Sequence, residues 1–175
     1  MDNLHDIEDL ILLNMVEGLG IVRLRALLER FERTNAVLKA TKKELMSVQG
    51  IGEVISNGIT NISKSGILDN ELALIKKKNV KVITVYDKDY PQNLKSVFDP
   101  PILLYVQGDL DKRDILSIAI VGSRRPSFYG RTTAERLGKE LSSLGITIVS
   151  GMARGIDTAG HRGATKNGGR TIAVL

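Results

Sequence analysis

Ile118-Ala119-Ile120-Val121-Gly122-Ser123-Arg124-Arg125-Pro126-Ser127-Phe128-Tyr129-Gly130 is the stretch on which the fold turns. An apolar, β-branched run stops at glycine, serine and two arginines, and an amphipathic helical pattern follows. The device repeats as Ile146-Thr147-Ile148-Val149-Ser150-Gly151-Met152-Ala153-Arg154-Gly155-Ile156-Asp157. Each half reads as a buried strand, a small polar loop and a helix. A third strand is expected over 170–175, after Asn167-Gly168-Gly169 ends the second helix. A β-α-β-α-β order implies parallel strands with right-handed crossovers, and hence a doubly wound α/β sheet. The two loops then lie side by side at the carboxyl ends of the strands, where such sheets bind ligands. Bare backbone amides, a helix N-terminus and neighbouring arginines suit phosphate. A nucleic acid is the expected ligand.

Charge supports the placement. Up to Leu116 there are 16 Lys+Arg against 17 Asp+Glu; after it there are 9 against 3, so the positive excess sits in the segment with the two loops. An anionic partner for that segment follows more readily than a merely solvated basic face. The 175-residue chain has no cysteine, which excludes disulfides and thiolate metal sites and fits a reducing compartment. No apolar run approaches the roughly 20 residues of a bilayer span, and the acidic N-terminus lacks a signal-peptide pattern. A soluble cytoplasmic protein that does not engage a membrane is expected. With no tryptophan and few aromatics, a stacking-rich oligonucleotide barrel is disfavoured.

Upstream, residues 1–66 read as a helical domain and 67–175 as the α/β domain, with Ser63-Lys64-Ser65-Gly66 as punctuation. Ile21, Leu24, Leu27, Leu28 and Phe31 share a helical face, as do Ile55, Ile59 and Ile62. Thr41-Lys42-Lys43-Glu44 is a capping box. Leu13-x-x-Val16-x-Gly18-Leu19-Gly20 is echoed by Leu45-x-x-Val48-x-Gly50-Ile51-Gly52. The doublet resembles tandem helix-hairpin-helix motifs, whose glycines let backbone amides approach a DNA phosphate. It suits slightly better a helical bundle that uses the turns only to reverse the chain. Further on, a helix over 70–78 capped by Asp69, strands over 80–86 and 102–106, and a loop from Tyr90-Pro91 to Pro100-Pro101 are expected. The helix after Gly130 carries Ala134, Leu137, Leu141 and Leu144 on one face, with Gly145 as its C′ residue.

The candidate site is Gly122, Ser123, Arg124, Ser127, Tyr129, Ser150, Gly151, Arg154, Gly155 and Arg170. Ser123 and Arg124 stand at a strand mouth, where a hydroxyl and a guanidinium both bind phosphate oxygens. Arg125 reads as exposed and non-specific. Ser127 suits an N-cap as well as a ligand group, and Tyr129 suits a base-stacking role as well as burial. Ser150, Gly151 and Gly155 permit close backbone approach, and Arg154 adds charge. Asp157 reads as a helix cap, and His161 as a structural histidine rather than a general base. Arg170 is expected to reach the same crevice as Arg124. A G-x-G-x-x-G fingerprint, a Walker lysine loop and a metal cluster are absent, so dinucleotide, ATP and metal chemistry are not indicated. Neither a cofactor nor a catalytic residue is assigned.

Gly122-Ser123-Arg124 with Ser127-x-Tyr129-Gly130, then Ser150-Gly151-Met152-Ala153-Arg154-Gly155-Ile156-Asp157, His161-Arg162-Gly163-Ala164 and Gly168-Gly169-x-Thr171-Ile172-Ala173-Val174-Leu175, together resemble the DNA-processing protein A (DprA/Smf) family. The N-terminal helices and the Tyr90-Pro91…Pro100-Pro101 stretch resemble it too. The resemblance implies a sterile-alpha-motif-like helical domain and an extended Rossmann domain. It also implies single-stranded DNA binding with loading of a RecA-type recombinase during natural transformation, homodimerisation, and no enzymatic activity. Gly122, Ser123, Arg124, Ser150, Gly151 and Gly155 would line the DNA phosphate pocket, with Arg170 as a further basic contact. Gly160 and Thr165 depart from the alanine and leucine usual in the family, and a helix-interior glycine costs roughly 1 kcal/mol. Members continue past the third strand into the rest of the sheet, a dimerisation and recombinase surface and often a winged helix, so the Rossmann domain is expected to be truncated here. Two other readings stand beside this one. One is a nucleotide phosphoribohydrolase of the same superfamily, whose Pro-Gly-Gly-x-Gly-Thr loop is absent from the sequence. The other is a protein-interaction module resting on the helical domain.

Overall fold

The structure is a computed structural model that describes residues 6–62 and 66–175. The expected punctuation at Ser63-Lys64-Ser65 lies outside the described residues. Packing divides the chain into two compact units, Met1–Asp109 and Leu110–Leu175. The division falls well after the boundary expected at residue 66, because the segment that follows completes the helical core. Leu68, Leu72, Ile75, Val82, Ile102 and Leu103 all pack with the N-terminal helices.

Five helices open the first unit: α1 (Ile7–Asn14), α2 (Ile21–Phe31), α3 (Thr34–Lys39), α4 (Lys42–Met46) and α5 (Glu53–Ile62). Their core is aliphatic, with Leu13, Leu27, Val37, Leu45 and Ile59 fully buried. The Thr41–Glu44 capping box forms, each side chain bonding the other residue's backbone. The sequence doublet is a structural repeat. Leu19 donates to the Val16 carbonyl at 3.0 Å and Ile51 to the Val48 carbonyl at 3.1 Å, while Leu24 bonds Gly20 and Ser56 bonds Gly52, each at 3.0 Å. Gly18 (φ 77°) and Gly50 (φ 85°) supply the left-handed turns. The halves pack reciprocally: Gly18 faces the Ile55 side chain and Gly50 faces that of Arg23, residues at equivalent places in the repeat. Arg23 donates to the Gly18 carbonyl at 2.8 Å, and Arg25 pairs with Asp99 at 3.1 Å. Both arginines are thus engaged inside the unit.

α6 (Ile67–Lys77) starts at Gly66 (φ 65°), three residues before the expected start, and places Asp69 in its first turn rather than at its cap. β1 (Val80–Thr84) and β2 (Leu103–Gln107) pair antiparallel, Val82 opposite Tyr105. Between them lies a short helix, α7 (Gln92–Lys95). The excursion is closed by Tyr90, which is 1 % exposed and donates its hydroxyl to the Pro101 carbonyl at 2.7 Å.

The second unit holds β3 (Ser117–Ala119), α8 (Phe128–Ser143), β4 (Thr147–Ser150), α9 (Ile156–Thr165) and β5 (Thr171–Ala173). The strands are parallel in the order β3-β4-β5. Both connections therefore advance in one direction, and the strand reversal of a doubly wound sheet does not occur among the described strands. Right-handed crossovers in one direction place α8 and α9 on the same face, and the two helices pack against each other and on β4. Central β4 is buried, with Thr147 and Ile148 at 0 % exposure; β3, expected to be buried, is an edge strand with Ile118 at 44 %.

Of the face of α8 read from the sequence Ala134 is buried, but Leu137 and Leu144 are exposed, and the buried stripe continues through Gly138 and Ser142. The cause is close helix approach. A Cβ at Gly138 would collide with the Gly160 carbonyl, and one at Gly163 with the Glu135 carbonyl. At Gly160, unfavourable by helix propensity, it is the backbone carbonyl that faces α8, and a Cβ there would meet the Ile120 side chain at 3.0 Å. α8 ends as expected: Gly145 (φ 81°) donates to Ser142 at 3.0 Å and Ile146 to Leu141 at 3.2 Å, the two bonds of a Schellman cap.

Candidate functional site

β3 and β4 are adjacent and parallel, so the segments 120–127 and 151–155 meet at the carboxyl end of the sheet. Their meeting is direct. Ile156 donates its backbone amide to the Ser123 carbonyl at 3.2 Å. Gly155 (φ 91°) lies so close that a Cβ would overlap that carbonyl, and a Cβ at Gly122 would come within 2.9 Å of the Ile156 side chain. These two glycines are required by loop-on-loop packing.

Asp157 fastens the junction. The N-cap of α9 is Gly155; Asp157 lies in the first turn, 5 % exposed, and points back beneath both loops. Its carboxylate accepts from the Gly122 amide at 3.3 Å and from the Gly151 amide at 3.1 Å. Burial alone would raise its pKa. Hydrogen bonds from the Gly122, Ala153 and Gly151 backbones outweigh that and hold the carboxyl below its ordinary value. The two amides expected to cradle phosphate are therefore occupied by an internal anion. Ser150 is engaged too: 2 % exposed, it donates to the Ile120 carbonyl at 2.6 Å. The sequence reading missed Asp157 in this role. Its signal was an acidic residue two places after the second loop's glycine, next to a strand end.

Ser123 is exposed, and its hydroxyl accepts from the Arg125 amide at 3.1 Å. Ser127 is the N-cap of α8, accepting from the Gly130 amide at 3.1 Å. Tyr129 is 79 % exposed and its neighbour Phe128 77 %, so the open, stacking-competent alternative describes the aromatic pair, and Phe128 adds a ring the sequence reading passed over. Met152, also in the second loop, takes a left-handed backbone (φ 53°) that costs a non-glycine residue energy.

Arg124 and Arg154 do come together. With Arg125, Arg131 and Arg162 they line a cleft of about 420 Å³, in which Glu135 is the one lining carboxylate. All five arginines are exposed, and among the described residues none lies within ion-pair distance of a carboxylate. Arg131 stands over the Phe128 ring, 6.0 Å from its centroid. Arg125, Arg131 and Arg162 were not among the expected site residues; for Arg131 and Arg162 the i, i+4 relations to Glu135 and Thr158 were the available sign.

Arg170 does not join them. It precedes β5 and so lies at the amino end of the parallel sheet, where its guanidinium grips Asp114 through bonds of 2.5 and 2.6 Å. Asp114 also accepts from the Thr147 hydroxyl at 3.0 Å, tying the starts of β4 and β5 to the turn before β3. Burial opposes ionisation of Asp114, yet the bonds from Arg170, the Asp111 backbone and Thr147 hold its pKa low. Arg170 is a sheet clamp because a strand-initial residue and a strand-terminal loop occupy opposite ends of a parallel sheet.

No helix among the described residues is long and apolar enough to cross a membrane. The family profile described as DNA recombination-mediator protein A matches residues 81–175. Protein Smf of Synechocystis is 35 % identical over 170 residues, covering 93 % of this chain and 42 % of its own length. The DNA processing protein DprA of Bacillus subtilis is 40 % identical over 112 residues, 62 % of this chain and 37 % of its own. The chain thus spans less than half the length of these curated relatives. The X-ray structure of DNA processing protein A from Streptococcus pneumoniae superposes with a TM-score of 0.69 at 28 % identity, covering 97 % of this chain and 58 % of that one. A parallel sheet whose first two strands open into interlocked, arginine-bearing loops agrees with these likenesses, and the chain belongs to the DNA recombination-mediator protein A family.

Proposed function

We propose that the arginine-bearing face of the two loops binds the sugar–phosphate backbone of single-stranded DNA, without catalysis and without reading sequence. The bound strand would be handed to a RecA-type recombinase in the cytoplasm during natural transformation, with the whole protein acting as a homodimer. The observation that carries the reading is the cluster of five exposed arginines around one carboxylate at the mouth of β3 and β4, in a chain whose family is a DNA recombination mediator. Exposed Phe128, over whose ring Arg131 stands, suits an unstacked base, while exposed Tyr129 lines a separate apolar cleft with Val121 and Leu137. A binding role is further supported by where the titratable groups point. The His161 Nδ1 is 2.6 Å from the Thr171 hydroxyl, and Asp157 is turned onto backbone amides. The Thr171 hydroxyl gives its own proton to the Ile148 carbonyl at 2.8 Å, so it accepts from His161 rather than yielding a proton to it, and the Asp157 carboxylate is committed to the loop amides.

Fluorescence anisotropy of a labelled homopolymeric oligonucleotide tests this reading. Arg124→Ala/Arg154→Ala is expected to weaken binding about tenfold at moderate salt. Undiminished binding by the double variant sinks the proposal, and release of free base from a nucleoside monophosphate by the wild type would favour the phosphoribohydrolase reading.

A further inference from the structure

The cleft extends beyond the loops. It runs into the furrow between α8 and α9, where Arg131 and Glu135 stand one turn apart on one helix and Thr158 and Arg162 one turn apart on the other. The backbones of these helices touch at Glu135 and Gly163, so the furrow is shallow and its charged side chains rise on both banks. Five arginines brought together here repel one another, and the groove's own counter-charge is Glu135. That carboxylate ion-pairs with Lys166. The Lys166 hydrogen bond does most to lower its pKa, and the charges of Arg162 and Arg131 act in the same direction.

We infer that the α8–α9 furrow is a second phosphate subsite, which takes the next stretch of the same DNA strand after the loops, and that Glu135 is an internal counter-ion which the incoming phosphate must compete with. The inference rests on the phosphate-binding reading of the loops and adds a direction and a regulator to it. In the free chain Glu135 relieves repulsion among the arginines. In the bound chain the same charge opposes the DNA. Glu135 therefore trades affinity for stability of the free protein.

Such a trade gives a signature that a purely structural residue does not. Glu135→Gln is expected to bind a labelled single-stranded oligonucleotide about threefold more tightly at low salt, the scale of one exposed ion pair. It should also show a steeper salt dependence and a lower melting temperature without DNA. Arg162→Ala is expected to weaken binding and flatten the salt slope. Arg136→Ala, on the same helix but paired with Glu140 at 3.2 Å, serves as the charge control and is expected to bind as the wild type does. If Arg124→Ala weakens binding while Glu135→Gln and Arg162→Ala leave affinity and slope unchanged, the furrow is not a subsite and only the loop reading stands. If Arg136→Ala weakens binding as much as Arg162→Ala, the effect is one of net charge and the inference fails. Absence of oligonucleotide binding by the wild type removes both readings.

Discussion

Asp157 accepts hydrogen bonds from amides in two different loops, Gly122 at 3.3 Å and Gly151 at 3.1 Å, while 5 % exposed. Bonds to a buried charged acceptor contribute about 1.5–3 kcal/mol each, and an orphaned partner adds its own desolvation cost. Asp157→Asn, which keeps one acceptor and sets an NH₂ against amide donors, should cost about 2 kcal/mol at neutral pH by chemical denaturation. Its folded-state pKa lies below the ordinary carboxylate value. The stabilisation is therefore complete above an unfolded-state pKa of about 4 and is lost as pH falls through the lower folded value. The difference between wild type and Asp157→Asn should shrink as acid is added, whereas the dependence carried by Asp114 and Arg170 persists in both. A gap independent of pH would show that the Asp157 charge is not what holds the loops. Asp157 was legible only as a helix-start carboxylate, because the amides it accepts from are brought near by strand pairing between positions far apart in sequence.

At the scale of elements, α8 and α9 are held by an absence of side chains. Gly138→Ala replaces a poor helix former by the best one, a gain of about 1 kcal/mol if the helix stood alone. Packing opposes it, since the new Cβ meets the Gly160 carbonyl, and overpacking costs about 1–3 kcal/mol. The net expectation is destabilisation, read as a fall in melting temperature; a rise would mean that the helices do not meet as described. The capping box at Thr41, the Gly145 terminator and the Gly18/Gly50 repeat were all readable because each is a local device acting within a few residues. The burial of α8 was not, since its leucine spacing mimics a core face while the contact is made by Ala134, Gly138 and Ser142. Only knowledge of how closely α9 approaches separates the two.

Across the whole molecule, local chemistry was legible and partnership was not. The parallel β-α-β-α-β order, the two loops and the basic excess of residues 117–175 could be read directly, and they point to the candidate site. The expected division after residue 66 followed the local punctuation Ser63-Lys64-Ser65-Gly66. The division by packing follows the core instead, which draws α6, β1 and β2 to the helical unit. Arg170 illustrates the same limit. It was expected to reach the same crevice as Arg124, but a parallel sheet sends the start and end of a strand to opposite rims, and Asp114 claims it there. The sum of charges places a positive field over one face of the second unit. Association should therefore weaken steadily with salt and depend little on base sequence.

The central claim is that Arg124 and Arg154 grip phosphates and do not read bases. It is tested by the slope of log affinity against log salt for two single-stranded oligonucleotides of equal length and unrelated sequence. Each phosphate that is no longer neutralised should flatten the slope by about 0.7. Arg124→Ala/Arg154→Ala should therefore flatten it by about 1.4, and by the same amount for both oligonucleotides. An unchanged slope, or an effect confined to one of the two sequences, would contradict the account.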